Sequence, residues 1–489
     1  MTQQLTSHKG QTTLNPATQD LSQFVSDRSA HTRYEELTEA DVEAAKRSIL
    51  DTLGVALAAT TEAPEAVEPL RAYMHSFASG GQAPALTLGT RVHPLDAVLW
   101  LGGISHAIDF DDVAGYCHPS APVVAALLPL LGTMAVADGR QLLVATALGQ
   151  DLVIRLAQAL HRPVSDHGWL HSLPGVFGAS LASAKLLKLD AQQTRASLGL
   201  ALHQAAGTMQ SLARPGSDFR GIREGFSARA GVMAALLASQ GLAGDPESLE
   251  GQFGFFQQFC KGEYDADFVR QFRLLGPRIT YKPWPCAGHP QLFLTALAEL
   301  LERNPVPAAA IREIRITGCS ALLAHQCEPL DLRAAPSHSI DAKVSLPFLI
   351  GKIVSRRTLA ISDFSKEGLR DSLAIEIGRR VRWAHDSSLE RGSNGYGEGW
   401  VEIELNDGQR LRHRTEYPLG HPENPLSWQQ IVTKFRQCAQ ASASPISPLA
   451  LDTVIDLIGN LEELPNASAI VETLFQGIRQ AQADKRPAV

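Results

Sequence analysis

The chain has 489 residues, of which 44% are hydrophobic, 19% charged and only 6% aromatic; that is a globular balance with room for a sizeable core and two to four domains of about 150 residues. Its net charge of −7, from 44 basic and 51 acidic residues, argues against nucleic acid or an anionic membrane as the main partner. Six cysteines, none in the close pairs of a zinc knuckle or redox motif, point to a reducing, cytoplasmic setting.

Met1–Asp20 is polar and lacks the apolar core of a signal peptide, so it reads as a flexible tail. Thr38 before Glu39 and Asp41 is a helix start, and Val42, Ala45, Ile49, Leu53 and Ala56 follow at helical spacing. Further helices are predicted over 95–109, 120–137, 140–160, 174–188, 191–209 and 226–241. The longest apolar run, Ala121–Ala137, is broken by Pro122, Pro129 and Gly132 and is no membrane span. Small residues crowd 175–185 and 228–239, as closely packed helices require.

The texture changes near Gly276-Pro277. Ile311–Ile316 alternates like a strand, and Trp400–Leu405, Asn406-Asp407-Gly408 and Gln409–Glu416 read as a hairpin. Helices fit 290–303, 341–354 and 449–462, and Ser387–Gly399 reads as a flexible loop. The expected fold is mainly α with an α+β second domain. It divides into a tail over 1–20, a helical domain over 21–275, a mixed α/β lid over 276–425 and a helical return to the first domain over 426–489. There is no internal repeat.

Four segments could carry chemistry. Ser105–Ser120 packs His106, Asp109, Asp111, Asp112 and His118 together. Three carboxylates at a helix end oppose the macrodipole, a cost that points to function. The rival readings are a polar loop capping the next helix through Ser120, and a hard-metal site without EF-hand spacing. Asp166–Ser172 offers His167 and His171, either of which could move a proton near neutrality. Phe219–Arg229 places Arg220, Arg223 and Arg229 just before the predicted helix, where they could clamp carboxylates or simply face solvent. In Tyr281–His289, two prolines fix the backbone around Lys282, a lysine in a rigid apolar setting with a pKa open to perturbation; a hinge is the plainer reading. No dinucleotide fingerprint, P-loop, nucleophile elbow or HExxH is present.

These segments, in this order, resemble the 2-methylcitrate dehydratase/cis-aconitate decarboxylase (MmgE/PrpD) family. The matching text is HAIDFDD…HPSAPV at 106–123, GW-H-S…GVFGA at 168–179, LGLALHQAAGTMQ at 198–210, R…EGFSARAGVMAALLASQGL at 220–242, EG…GFF at 250–256, YKPWPCAGHP at 281–290 and DAKVSLPFLIGKIV at 341–354. The resemblance spans roughly residues 22–470. It implies a large helical domain with an α/β lid, a homodimer, and proton movement next to a carboxylate of a small polycarboxylate, with neither metal nor organic cofactor. Carried over by position, Asp109, His118, His171 (or His167) and Lys282 are the implied acid–base residues, and Arg220, Arg223 and His289 the implied substrate-binding ones. A dehydratase-like lyase is the leading expectation; epimerisation, decarboxylation and a non-catalytic relative are the alternatives. The chain departs from the family pattern at Val113, where a threonine is usual, and at Arg220 and Arg223, where lysine and histidine are usual. It also has no tyrosine between Tyr281 and Tyr396. These departures favour a polycarboxylate or an outcome other than cis-aconitate decarboxylation.

Overall fold

The computed structural model describes residues 20–133, 137–213, 217–271, 273–319, 322–389 and 399–484. The predicted tail, apart from Asp20, and most of the predicted loop before Gly399 lie outside them. The fold is mainly helical, with one small mixed sheet in its second part. Among the described residues no helix is long and apolar enough to cross a membrane.

The first long helix, Glu39–Glu62, starts where Thr38 accepts from Asp41 N at 3.2 Å while Asp41 accepts from Thr38 N at 2.9 Å. This reciprocal capping satisfies donors that a bare helix end would leave orphaned. Helices Pro94–His106, Ser120–Leu131, Gly139–Gln158, Leu173–Leu186 and Phe219–Ser239 pack around it and one another. The crossing of Pro94–His106 with Phe219–Ser239 is close because it is lined by glycine. A Cβ on Gly225 would stand 2.4 Å from Leu99 O, and one on Gly102 would stand 2.6 Å from the Gly225 Cα.

Several boundaries differ from the sequence reading: the helices predicted over 120–137 and 191–209 already end at Leu131 and Leu202, and three further differences bear on the site. The helix predicted over 95–109 stops at His106, and Asp109 takes a left-handed φ of 52°. The helix predicted from 226 begins at Phe219, so Arg220 and Arg223 lie on it rather than ahead of it. Gly221 and Gly225 look like turn residues in the sequence, but Gly225 serves the helix crossing. The helix predicted over 341–354 is two pieces, Ser339–Ala342 and Leu346–Arg356, because Ser345-Leu346-Pro347 restarts the chain with Pro347 in the first turn.

Two short strands, β1 (Ala83–Ala85) and β2 (Thr90–Val92), form a small antiparallel pair. The main sheet contains β3 (Ile311–Gly318), β4 (Val381–His385), β5 (Gly399–Leu405) and β6 (Arg410–Thr415) in the order β4-β3-β5-β6. β3 and β4 are parallel; the other pairs are antiparallel, and β5–β6 is a hairpin turning at Gly408, φ 87°. Ile314, Ile316, Val401 and Ile403 share a core with Phe293, Leu297, Leu349 and Ile353 of helices Pro290–Arg303 and Leu346–Arg356.

After the sheet, helices Trp428–Gln440, Pro448–Gly459 and Ser468–Asp484 put Ile431, Phe435, Val454, Ile470 and Phe475 into the same core as Ile49, Leu53 and Val123. Phe435 packs directly over Gly54, with its Cα 3.2 Å from where a Cβ would be. The last part of the chain therefore braces the helix from which the first core is built.

Candidate active site

The site begins where helix Pro94–His106 ends. Burying a helix C-terminus beside carboxylates is costly unless they are partnered, and partners are supplied from three directions. Lys282, with no exposed side-chain surface, donates to Asp109 Oδ1 at 2.7 Å and to Asp109 O at 2.9 Å. Arg220 stands 3.8 Å from Asp109 Oδ2. His106 Nδ1 donates to both Asp111 oxygens at 3.0 Å, and His118 Nδ1 lies 2.9 Å from Asp111 Oδ2 and 3.0 Å from Asp112 O.

Backbone pairing brings these groups together. Val113 N donates to Thr280 O at 3.0 Å and Thr280 N donates to Val113 O at 2.8 Å, so the acidic loop is stitched to the strand-like run leading to Lys282. Position 113 does this through its main chain, which explains how a valine is accommodated there. Tyr281 OH donates to Ala44 O at 2.9 Å and anchors the other side of Lys282 to the first long helix.

The charges follow from these contacts. Burial alone would raise Asp109, but Lys282, His106, His118 and Arg220 outweigh it and hold the carboxyl far below its usual range. Burial would likewise raise Asp111, and the two imidazoles and their hydrogen bonds hold it down. Burial would lower Lys282, but Asp109 and Asp111 raise it, so it is a firm cation. Desolvation pushes His106 down to about 4 and His171 down to about 4, the latter helped by Arg223 and His118. Both are neutral imidazoles at pH 7. Asp112 is pushed up to about 7, first by burial. Its partner is Ser120, which donates its hydroxyl to Asp112 Oδ2 and receives Gln150 Nε2 at 2.7 Å. Ser120 is thus a helix residue holding Asp112, not the predicted N-cap; that place is taken by Pro119, with no side-chain cap.

His118 faces only acceptors through Nδ1, so that nitrogen carries the proton and Nε2 is left as the basic nitrogen. Among the described residues His171 has no hydrogen-bond partner at its buried Nε2, and it lies in the field of Arg223 and His118. The Tyr116 ring, more than half exposed, is 6.1 Å from it. His167 sits in the short turn Val164–His167 and likewise leaves a buried Nε2 without a partner among the described residues. Arg223 is buried against Glu224, with Nε 3.2 Å from Oε1, while Glu224 Oε2 has no partner among the described residues. His289 donates from Nδ1 to Gln326 Oε1 at 2.7 Å and packs on Phe293, and no hydrogen bond or ion pair ties it to Asp109 or its neighbours among the described residues. The sequence reading singled out neither Glu224 nor Lys343, which is buried beside this cluster. Lys343 was one letter in an apolar run taken as continuous helix.

His106, Asp111 and His118 converge so that one ligand atom from each lies within 4.8 Å of the others, close enough to hold a cation. Nδ1 of each histidine faces an Asp111 oxygen, so binding a metal through these nitrogens would require their protons to move to Nε2 or leave. The site's chemistry is therefore that of a fixed anion, firm cations and neutral imidazoles in a buried cluster. Such a cluster has cations to meet a carboxylate and imidazoles to move a proton beside it.

Two family profiles match the chain: the MmgE/PrpD N-terminal domain over residues 19–267 and the MmgE/PrpD C-terminal domain over residues 284–447. Similar proteins include a cis-aconitate decarboxylase of Aspergillus terreus, 25% identical over 463 residues, covering 88% of this chain and 91% of that protein. The cis-aconitate decarboxylase of Homo sapiens is 26% identical over 467 residues, covering 90% and 91%. That of Mus musculus is 25% identical over 474 residues, covering 92% of each.

Proposed function

We propose, from the premise that this chain belongs to the MmgE/PrpD family, that it is a cofactor-free lyase acting on a small di- or tricarboxylate by moving a proton at a carbon next to a carboxylate. The observation that carries this reading is the convergence of Lys282 and Arg220 on Asp109, beside the His106–Asp111–His118 network. Charge developing on a carboxylate as its α-carbon loses a proton or CO₂ becomes enediolate-like. Preorganised cations in a dry recess stabilise it, at about 10²- to 10³-fold in rate per good donor.

Arg220, and Arg223 beyond its link to Glu224, hold substrate carboxylates. Arg220 is an anion-holder rather than a base, since arginine stays protonated. His118 Nε2 carries the reacting proton, with Nδ1 fixed by Asp111 and the Asp112 carbonyl. His171, neutral and unpartnered at Nε2, is the second proton carrier. Asp109 is too firmly ionised to be an efficient base at neutral pH and acts by fixing Lys282. The two leaving groups, water and CO₂, need the same cation-lined recess and proton carrier. The relatives named for cis-aconitate decarboxylation favour CO₂.

Proton NMR in D₂O with cis-aconitate, citrate, methylcitrate, malates, tartrates and iminodisuccinate tests the reading. New alkene signals from a hydroxy acid mean water loss; new signals from cis-aconitate with CO₂ release mean decarboxylation. Exchange of an α-proton with the skeleton intact would show an epimerase and overturn the lyase reading.

A further inference from the structure

Lys343 is a lysine beside the site that makes no close ion pair among the described residues, although Asp109 and Glu62 act on it from further off. Its side chain is buried, 1% exposed, at the break between Ser339–Ala342 and Leu346–Arg356. Its Nζ donates to Pro285 O at a long 3.4 Å and lies 3.9 Å from the centroid of the Phe364 ring. Among the described residues no carboxylate makes an ion pair with it. Lys282 contrasts with it, because Asp109 meets that ammonium at 2.7 Å. The backbone binds Lys343 to the same segment as Lys282: Ala287 N donates to Lys343 O at 3.0 Å. Two residues earlier, Asp341 acts electrostatically on Arg220. The turn that carries Lys343 therefore faces the helix carrying the arginines.

We propose that Lys343 is a further carboxylate anchor of this recess, supplied by the α/β part of the chain, which takes its missing counter-ion from the polycarboxylate substrate. A buried ammonium with one long carbonyl contact is costly to keep charged. A substrate carboxylate lowers that cost and so keeps the cation charged to higher pH. The groups acting on it are Asp109, Cys286 and Glu62, which favour its charged form, and Lys282, which opposes it; on the neighbouring turn, Asp363 is already held by Lys352 and Arg356, each at 3.1 Å. Desolvation prevails and brings Lys343 down to about 8 in the free protein. A bound carboxylate raises it again, so binding above pH 8 takes up a proton, at most about 0.9 at pH 9 and about 0.1 at pH 7.

This inference rests on the polycarboxylate reading of the site, and the test separates the two. Propane-1,2,3-tricarboxylate, which has neither a hydroxyl nor a double bond, serves as the probe. Its binding is followed by calorimetry at pH 7 and pH 9 in buffers of different ionisation enthalpy. The wild type should bind it with proton uptake that grows towards pH 9. Lys343→Gln should weaken binding about ten- to hundredfold, the size of a lost charge-assisted contact. Lys343→Arg should bind without the uptake, and Arg220→Gln should bind weakly with the uptake retained. Uptake unchanged in Lys343→Arg, or full affinity in Lys343→Gln, overturns the anchor and leaves the polycarboxylate reading standing. A wild type that binds neither this probe nor any acid of the NMR panel overturns both.

Discussion

Replacing Lys282 with methionine should be the most damaging single change in the acidic loop, and its damage should depend on pH in a set direction. The substitution keeps the side chain as far as Cε, and removes the ammonium and its two hydrogen bonds, to Asp109 Oδ1 and Asp109 O. It leaves a carboxylate whose side chain is 13% exposed with Arg220 at 3.8 Å as its nearest cation. Breaking a buried pair from one side costs about 3–5 kcal/mol. In the wild type Asp109 is depressed, so its stabilisation is present above the unfolded carboxyl value near 4 and is lost as pH falls below it. Lys282 is raised, so its own contribution is full below its unfolded value near 10.4 and is lost only as pH rises through the higher folded value. Without Lys282, burial should lift Asp109 towards or above its ordinary value, and acid then protonates it in the folded state. The deficit of Lys282→Met should be largest near pH 7–8 and shrink towards pH 4–5. Urea unfolding followed by circular dichroism across that range measures this. A deficit below about 1 kcal/mol at pH 7, or one that grows with acid, would refute the account of the pair.

Three other outcomes follow from the same geometry. His118→Ala should lower kcat at least about 10²-fold on whichever acid the NMR panel identifies, with folding retained, since acid–base groups contribute at that level; near-normal turnover would remove His118 from the mechanism. Gly225→Ala places a methyl 2.4 Å from Leu99 O, so overpacking should cost about 1–3 kcal/mol and shift the arginine-bearing helix. Unfolding midpoints and KM would report both effects, and an unchanged midpoint would contradict the close crossing. Asp112 is raised to about 7, so in the wild type it binds more protons folded than unfolded between about pH 4 and 7, and stability falls as pH rises there. Asp112→Asn abolishes that slope, so the variant should gain on the wild type as pH rises from 4 to 7. Parallel pH profiles would show that Asp112 does not titrate in this way.

What could be read from the sequence was whatever local pattern controls. Helix Pro290–Arg303 was delimited correctly because proline opens it and a run of Leu and Ala gives it one apolar face. Strand β4 was missed because its pattern, VRWAH, buries only its first residue fully and carries an arginine. Phe219–Ser239 was started late because glycines that permit helix contact are written with the same letter as glycines that make turns. In the site, the letters of the acidic loop were noticed, but their division of labour was not legible. It depends on the left-handed residue at Asp109, which sends that side chain to Lys282 while Asp111 meets the histidines. Lys343 gave no local signal, since the lack of a close ion-pair partner among the described residues is a fact of three dimensions.

The brace from the last helices bears on when the recess can exist at all. Lys434, on helix Trp428–Gln440, donates to Phe110 O at 2.8 Å, lies over the Phe110 ring and pairs with Asp51 at 2.6 Å. The floor of the acidic loop is thus secured by a residue 324 positions further along. During synthesis, everything from the first helices to the sheet emerges from the ribosome before that lysine does. Contacts of such sequence separation form late and slowly. A nascent or prematurely ended chain would then carry every acid, imidazole and arginine of the recess without the strut beneath Phe110. Competence is in effect deferred to the completion of translation, and a stop codon before position 434 should silence the protein even though it spares every residue assigned to the chemistry.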